Sequence, residues 1–275
     1  MNLSFVGKLV FPLLIFMIFL ASPVWPGNDI SPGQDEKALL AGMGPSPSAD
    51  DLEKLGRIRL QSAAARYKKW HRSGNEEDYA GALVYAKSAV TLLPDSDEVW
   101  LLLGMIRSEL KADPSAMAAS TDALIRAVDI NPANGRAQLL LAQVLMEQGR
   151  YWSSIEQFKM LIAGSKAMRT GTVLSQLTFC YIADGRIQAG LNYIQSLNKT
   201  VPLRTSSAAK LEWLEWQLIN TAVLMRARGD RKDAIGFLNL MFYYGGREDA
   251  NPQRTDGRIR QVNYLLSLWK KGGMI

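Results

Sequence analysis

The sequence predicts an all-α chain: a solenoid of about five helical hairpins, closed by a C-terminal capping helix and preceded by an N-terminal hydrophobic helix. Three observations carry this. The stretch LLLAQVLMEQGRYWSSIEQFKMLI at 139–162 is rewritten as LSQLTFCYIADGRIQAGLNYIQSL at 174–197, with Gly149 falling on Gly185 at an offset of 36 residues. Leu141 then overlies Leu177, Leu145 overlies Tyr181, Ile155 overlies Leu191 and Leu161 overlies Leu197. The echo is one of position rather than composition, which is what a stacked structural repeat leaves in a sequence. Second, Leu92-Leu93-Pro94, Ile130-Asn131-Pro132 and Thr200-Val201-Pro202 punctuate the helical runs, because a proline biases its predecessor away from helical geometry. Third, a long apolar run stands at the N-terminus.

That run, Leu9 to Trp25, holds no charged side chain and only Ser22 as a strongly polar one, and Lys8 precedes it. Its 17 residues are at the short limit of a membrane span, roughly 17 to 25 residues. A cleavable signal ends in small residues at the minus three and minus one places. Phe19-Leu20-Ala21 has one of them, and Pro23 spoils the next frame. Residues 1–25 are therefore expected to form an uncleaved signal-anchor, with a cleaved signal and a buried helix as the other readings. The basic end before the run favours the cytoplasmic side. The expected address is the bacterial inner membrane, single-pass, with the C-terminal body in the periplasm, or the soluble periplasm after cleavage. No cysteine lies near residue 20, which excludes a bacterial lipid-modified cysteine.

Residues 26–48 read as a tether rich in Pro, Gly and Ser, whose composition cannot offset the entropy of ordering as an independent module. Leu39, Leu40 and Met43 are candidates for a short helix or a docking contact. Ser48 followed by Asp51 resembles a capping box and starts the helical body, residues 49–275. The segment to Arg72 is amphipathic through Leu52, Leu55, Ile58 and Leu60. Ala82, Ala86, Ala89 and Pro94 then mark the second half of a first hairpin. Trp100, Leu103 and Gly104 open a second that closes at AVDINP, with about four extra residues around KADPSA. The third runs from Gly135 to Lys166, the fourth over 174–197, and the fifth turns at Gly229 within MRARGDRKDAIGFLNLM. IRQVNYLLSLWKK at 259–271 fits the cap, or a helix that docks on an assembly partner.

The order Trp100, Leu103-Gly104, then Leu141, Ala142, Leu145, Gly149, Tyr151, Ser154, Phe158 and Leu161 resembles the tetratricopeptide repeat (TPR), over about two thirds of the chain. The fourth unit departs from that pattern with Thr178 at a small-residue position and Gly190 where alanine is usual. Physical reasoning reaches the same architecture. Two helices of twelve to sixteen residues cannot bury both apolar faces alone, so each hairpin lends one to the next. Small residues at Ala82, Ala127, Ser154 and Ala234 let paired helices approach.

Composition excludes chemistry more than it suggests any. One cysteine, Cys180, flanked by Leu177, Phe179, Tyr181 and Ile182, reads as a buried small hydrophobe, with a reactive thiol as the rival. The single histidine, His71, lies in RYKKWHR with no acid beside it, and reads as a surface or turn residue. Without a second histidine or a cysteine pair there is no ordinary zinc or haem-attachment motif. Glu76-Glu77, Asp95-Asp97 and Glu248-Asp249 read as capping and solvent groups. No metal, cofactor, small-molecule substrate or nucleic acid is expected, and no enzyme activity. The net charge is +6. RYKKWHR and the set Arg226, Arg228, Arg231, Lys232, Arg247, Arg254, Arg258 and Arg260 suit anionic lipid headgroups or an acidic protein face, or are merely solvated.

The resemblance implies a protein partner in the inner groove. It points to Glu98, Leu101 and Met105 in the second hairpin and to Arg136, Leu139 and Gln143 in the third. Thr172, Ser175 and Phe179 follow in the fourth, then Trp216, Ile219, Val223 and Arg226 in the fifth. Trp213 and Trp216 have packing and partner contact as open readings. The expected function is a non-catalytic, membrane-tethered scaffold, a structural or accessory subunit of a bacterial envelope complex. The alternative is a transient assembly factor for a membrane or periplasmic complex, such as one serving cytochrome maturation.

Overall fold

A computed structural model describes residues 32–165, 168–198, 208–236, 238, 260 and 262–269. Among them are ten helices: α1 Pro32–Gly42, α2 Ala49–Ser73, α3 Glu76–Leu92, α4 Asp97–Ser108, α5 Pro114–Ile130, α6 Gly135–Glu147, α7 Tyr151–Gly164, α8 Gly171–Ala183, α9 Ile187–Asn198 and α10 Ala208–Arg228. Residues 231–236 and 262–269 are also helical. The chain divides into two compact units between Arg150 and Tyr151.

The hydrophobic run at 9–25 lies outside the described residues. Among those described, no helix is long and apolar enough to cross a membrane. The two that have the length, α2 and α10, are interrupted by charge: Asp50, Asp51, Glu53, Lys54, Arg57 and Arg59 in one, and Lys210, Glu212, Glu215, Arg226 and Arg228 in the other. The expected signal-anchor helix, the membrane partner and the single-pass inner-membrane address with a periplasmic body are corrected accordingly.

In the first unit, α2 pairs with α3 and α4 with α5, while α2, α4 and α6 stand side by side. This is a TPR-like stack of hairpins. Ser48 begins α2 with the expected capping box, its hydroxyl accepting the Asp51 N–H at 3.2 Å. In return the Ser48 hydroxyl donates to Asp51 Oδ2 at 2.7 Å and the Ser48 N–H at 3.2 Å, and the two hold the Asp51 carboxyl below its ordinary range. Asn75, Asp113 and Asn134 cap α3, α5 and α6 in the same way, satisfying N–H groups that a helix start leaves open. Within the stretch read as a tether, α1 docks on α2, where Arg59 Nε donates to Glu36 Oε1 at 3.2 Å and Arg59 Nη1 donates to Ser88 Oγ on α3. The core is Ala63, Ala82, Ala86, Ala89, Leu102, Ile106, Leu124 and Ala127, each at most 1% exposed. Gly104 lets α4 meet α5. A Cβ there would stand 2.6 Å from Leu124 Cγ, and the Gly104 carbonyl accepts from Ser120 Oγ at 2.7 Å.

In the second unit α7 packs on α8, α8 on α9, and α10 on both α8 and α9. Phe158, Leu174, Leu177, Ile194, Ala222, Val262 and Trp269 are 0% exposed, and full burial of a side chain such as Phe158 is worth about 2 to 3 kcal/mol. The turns after α8 and α10 repeat one device. Gly185 and Gly229 have φ 74° and 108°, while Arg186 N–H reaches Tyr181 O and Asp230 N–H reaches Met225 O, both at 2.9 Å. Gly149 ends α6 in the first unit identically, with φ 73° and Arg150 N–H on Leu145 O. Only glycine takes that left-handed conformation without strain, which is why the aligned glycines mark the repeat.

Gly190 also has a cause. A Cβ there would lie 2.9 Å from Tyr181 Cγ, so the tyrosine ring fills the space that alanine takes in the usual pattern. Of the terminal helix expected at 259–271, residues 262–269 are described and bury Val262, Leu265, Leu266 and Trp269. The proline expected to end a helix at 202 lies outside the described residues.

Candidate functional site

The residues expected to line a groove in the first unit lie on α4 and α6, where positions three and four residues apart share a face. Both ends of α4 are tied to neighbouring elements. At its start the Asp97 carboxylate accepts from Asn131 Nδ2 at 3.0 Å and Asn134 Nδ2 at 2.7 Å, which fixes the turn between α5 and α6. At its end Glu109 Oε1 accepts from the Tyr67 hydroxyl at 2.5 Å and lies 3.2 Å from His71 Nε2. Burial first, and then the Glu109 charge, push the Tyr67 phenol far above its ordinary range and keep it a donor. One repeat on, Lys111 Nζ donates to Glu147 Oε1 at 2.6 Å.

Between these ties the sequence-named residues fall into three conditions. Glu98 and Arg136 are exposed, Leu139 and Gln143 are half-buried, and Leu101 and Met105 are buried at 4% and 7% exposure. The last two therefore serve the core and contribute little surface.

In the second unit Thr172, Ser175, Phe179, Trp216, Val223 and Arg226 are half-buried, and Ile219 is buried. Phe179 meets Tyr151 edge-on, ring centroids 5.9 Å apart. The Trp216 indole lies against the first residue of α8, so that a Cβ on Gly171 would stand 2.0 Å from its Cε2. Trp213 is 8% exposed. Trp216 thus packs within its unit, and Trp213 is buried. Burial raises the Cys180 thiol to about 11 and Ser154 Oγ lies 3.4 Å from its sulfur, so it stays a protonated thiol at neutral pH.

Among the described residues, part of the 66–72 cluster and Arg228 of the distal set are paired. Lys69 and Arg66 pair with the buried Asp78 at 3.0 and 3.7 Å, and His71 pairs with Glu109. Arg186 pairs with Asp184 and stacks 3.8 Å above the Trp152 ring. Residues 32–150 carry 14 Lys and Arg against 16 Asp and Glu, whereas 151–275 carry 17 against 9, so the positive charge of the chain belongs to its second half.

Sequence reasoning missed a recess of about 630 Å³ in the first unit, lined by Lys111, Met117, Thr121, Glu147, Gln148 and Arg150. Gln148 Nε2 is fixed by Met117 O at 2.9 Å and Thr121 Oγ1 at 2.8 Å. The signal was present in the extra residues at KADPSA, which carry Lys111 out to this rim. Among the described residues no group of three or more His, Cys, Asp or Glu could hold a metal ion.

The sequence matches no protein-family model and no curated protein. Among solved structures, the chain is similar to YrrB, described as a TPR protein with an unusual peptide-binding site, at 13% identity and a TM-score of 0.48, covering 76% of this chain and 90% of that one. MamA from Desulfovibrio magneticus RS-1 matches at 15% identity and 0.45, covering 69% and 98%. PilW, described as a type IV pilus biogenesis factor, matches at 15% and 0.40, covering 71% and 96%. These are loose likenesses of helical arrays. The expected membrane-tethered subunit is corrected: the described residues are all-α, and none of their helices is long and apolar enough to cross a membrane.

Proposed function

We propose that the protein is a non-catalytic adaptor that binds protein segments through the α4 and α6 face of its first unit and acts as an assembly factor, engaging clients transiently. The observation that supports this is the face itself. Glu98, Arg136, Leu139 and Gln143 remain accessible on α4 and α6, while the ends of those helices are stitched by Asp97, Glu109 and Glu147. A face of one acid, one base, one amide and one leucine suits exchangeable contacts. Permanent subunit interfaces are larger and more apolar.

A photo-crosslinking residue placed at Gln143 in the full-length protein, followed by mass spectrometry of the adducts, tests the reading. Several clients in sub-stoichiometric yield, all diminished by Arg136→Glu, are expected. One partner in fixed ratio would instead make the protein a stable subunit, and adducts indifferent to Arg136→Glu would move binding to another face.

A further inference from the structure

The two units differ in how their interiors treat polar atoms. Among the described residues of the first unit, the buried side-chain polar atom lacking a hydrogen bond is Asp78 Oδ2, and it lies 3.0 Å from Lys69 Nζ. In the second unit the Gln217 side chain is 0% exposed, and neither its amide nitrogen nor its amide oxygen has a hydrogen-bond partner. Thr178 Oγ1 on α8 and Trp269 Nε1 in the terminal helix are buried in the same condition. Each is buried with no hydrogen-bond partner among the protein's own atoms, which disfavours the closed state.

Gln217 has no escape by rotation. It opens a run of six buried residues, Gln217 to Ala222, each at most 6% exposed, so α10 is enclosed around its full circumference there. An amphipathic helix keeps one polar stripe in water, and α10 has none over this turn and a half. The amide regains water when α10 lifts from α8 and α9.

We infer that α10 is a built-in weak point, and that the second unit opens locally along α10 at a free energy well below that needed to open α4 to α6. Native proteins open in such cooperative segments at free energies well below global unfolding, and a buried polar group without a partner lowers the cost of opening its segment. The chain then has a firm half that carries the groove and a yielding half whose inner faces of α8 and α10 become reachable without global unfolding.

Hydrogen exchange of the full-length protein, read by mass spectrometry on peptides from α4, α6 and α10, tests this. Amides of α10 are expected to exchange roughly tenfold or more faster than those of α4 and α6. In Gln217→Met, which keeps the unbranched shape and loses the amide, exchange in α10 is expected to slow roughly tenfold, with α4 and α6 unchanged. Protection of α10 equal to that of α4 and α6 in the wild type overturns the inference. So does a Gln217→Met protein whose α10 exchanges as fast as before or faster. If that variant does not fold, the wild-type comparison decides alone.

Discussion

Lys111 Nζ reaches Glu147 Oε1 at 2.6 Å across 36 residues of sequence, and one repeat earlier His71 Nε2 reaches Glu109 Oε1 at 3.2 Å. Successive helix ends in the first unit are thus joined by a basic side chain on a carboxylate, each repeat holding the next. The two links differ in weight. Glu109 also accepts the buried Tyr67 hydroxyl, whereas the Lys111 side chain is 54% exposed. Glu109→Ala is expected to cost about 1 to 3 kcal/mol, because it strands that hydroxyl. Glu147→Ala should cost about 0 to 1 kcal/mol, the usual worth of an exposed pair. Urea midpoints of the two variants check this, and equal shifts would refute it.

Gly171 and Trp216 form a contact that tolerates no added atom. Gly171→Ala is expected to destabilise the second unit by about 1 to 3 kcal/mol or more, since the methyl lands within the indole. Added to Trp216→Leu, the same change should cost much less. A double-mutant cycle in thermal unfolding with no coupling between the two sites would show that the contact is not formed.

Restoring the usual repeat residue at 190 should harm the protein. Gly190→Ala drives a Cβ against the Tyr181 ring, for an expected loss of about 1 to 3 kcal/mol. Tyr181→Leu should relieve it. A thermal midpoint that rises in Gly190→Ala alone is the opposing result, because alanine is otherwise the better helix residue.

Cys180 is raised to about 11 by burial, and burial likewise raises Tyr67, Tyr79, Tyr181 and Tyr193. A folded value above the unfolded one means that the neutral form is favoured in the fold. The Cys180 contribution to stability is therefore complete below the unfolded value, about 8.5, and is lost as pH rises toward 11. Maleimide should label the native thiol slowly at pH 8 and rapidly after urea unfolding, and stability should decline from about pH 9 upward. Prompt native labelling at pH 8 would place the thiol in solvent.

Much of the fold was legible because it depends on residues that signal locally. Gly149, Gly185 and Gly229 have turn conformations that only glycine enters freely, Ser48 and Asp51 cap across three residues, and Pro94 and Pro132 act on their predecessors. The site was less legible because its contacts are non-local. His71 has no acid near it in sequence, and its partner sits 38 residues away on the next helix end. Ser120, which bonds the Gly104 carbonyl, was hidden by the extra residues before α5 that shift the spacing. Leu101 and Met105 show the limit of carrying a groove pattern onto a chain: the pattern gives a helix face, and neighbouring helices decide how much of that face stays open. The polar residues of α10 conform to neither a surface stripe nor an apolar core, so periodicity offered no means of placing them.

Asp97 accepts from two asparagines of a single turn, Asn131 and Asn134, and so acts as a ruler for the connection between α5 and α6. Adding or removing one residue there moves an amide out of reach and rotates α6 about its own axis, carrying Arg136, Leu139 and Gln143 off their shared face. The connection between α4 and α5 is gauged differently, by the Asp113 N–H on Leu110 O at 3.0 Å and by Lys111 on Glu147. A single carboxylate therefore makes the length of one short turn decide where a whole helix face is aimed.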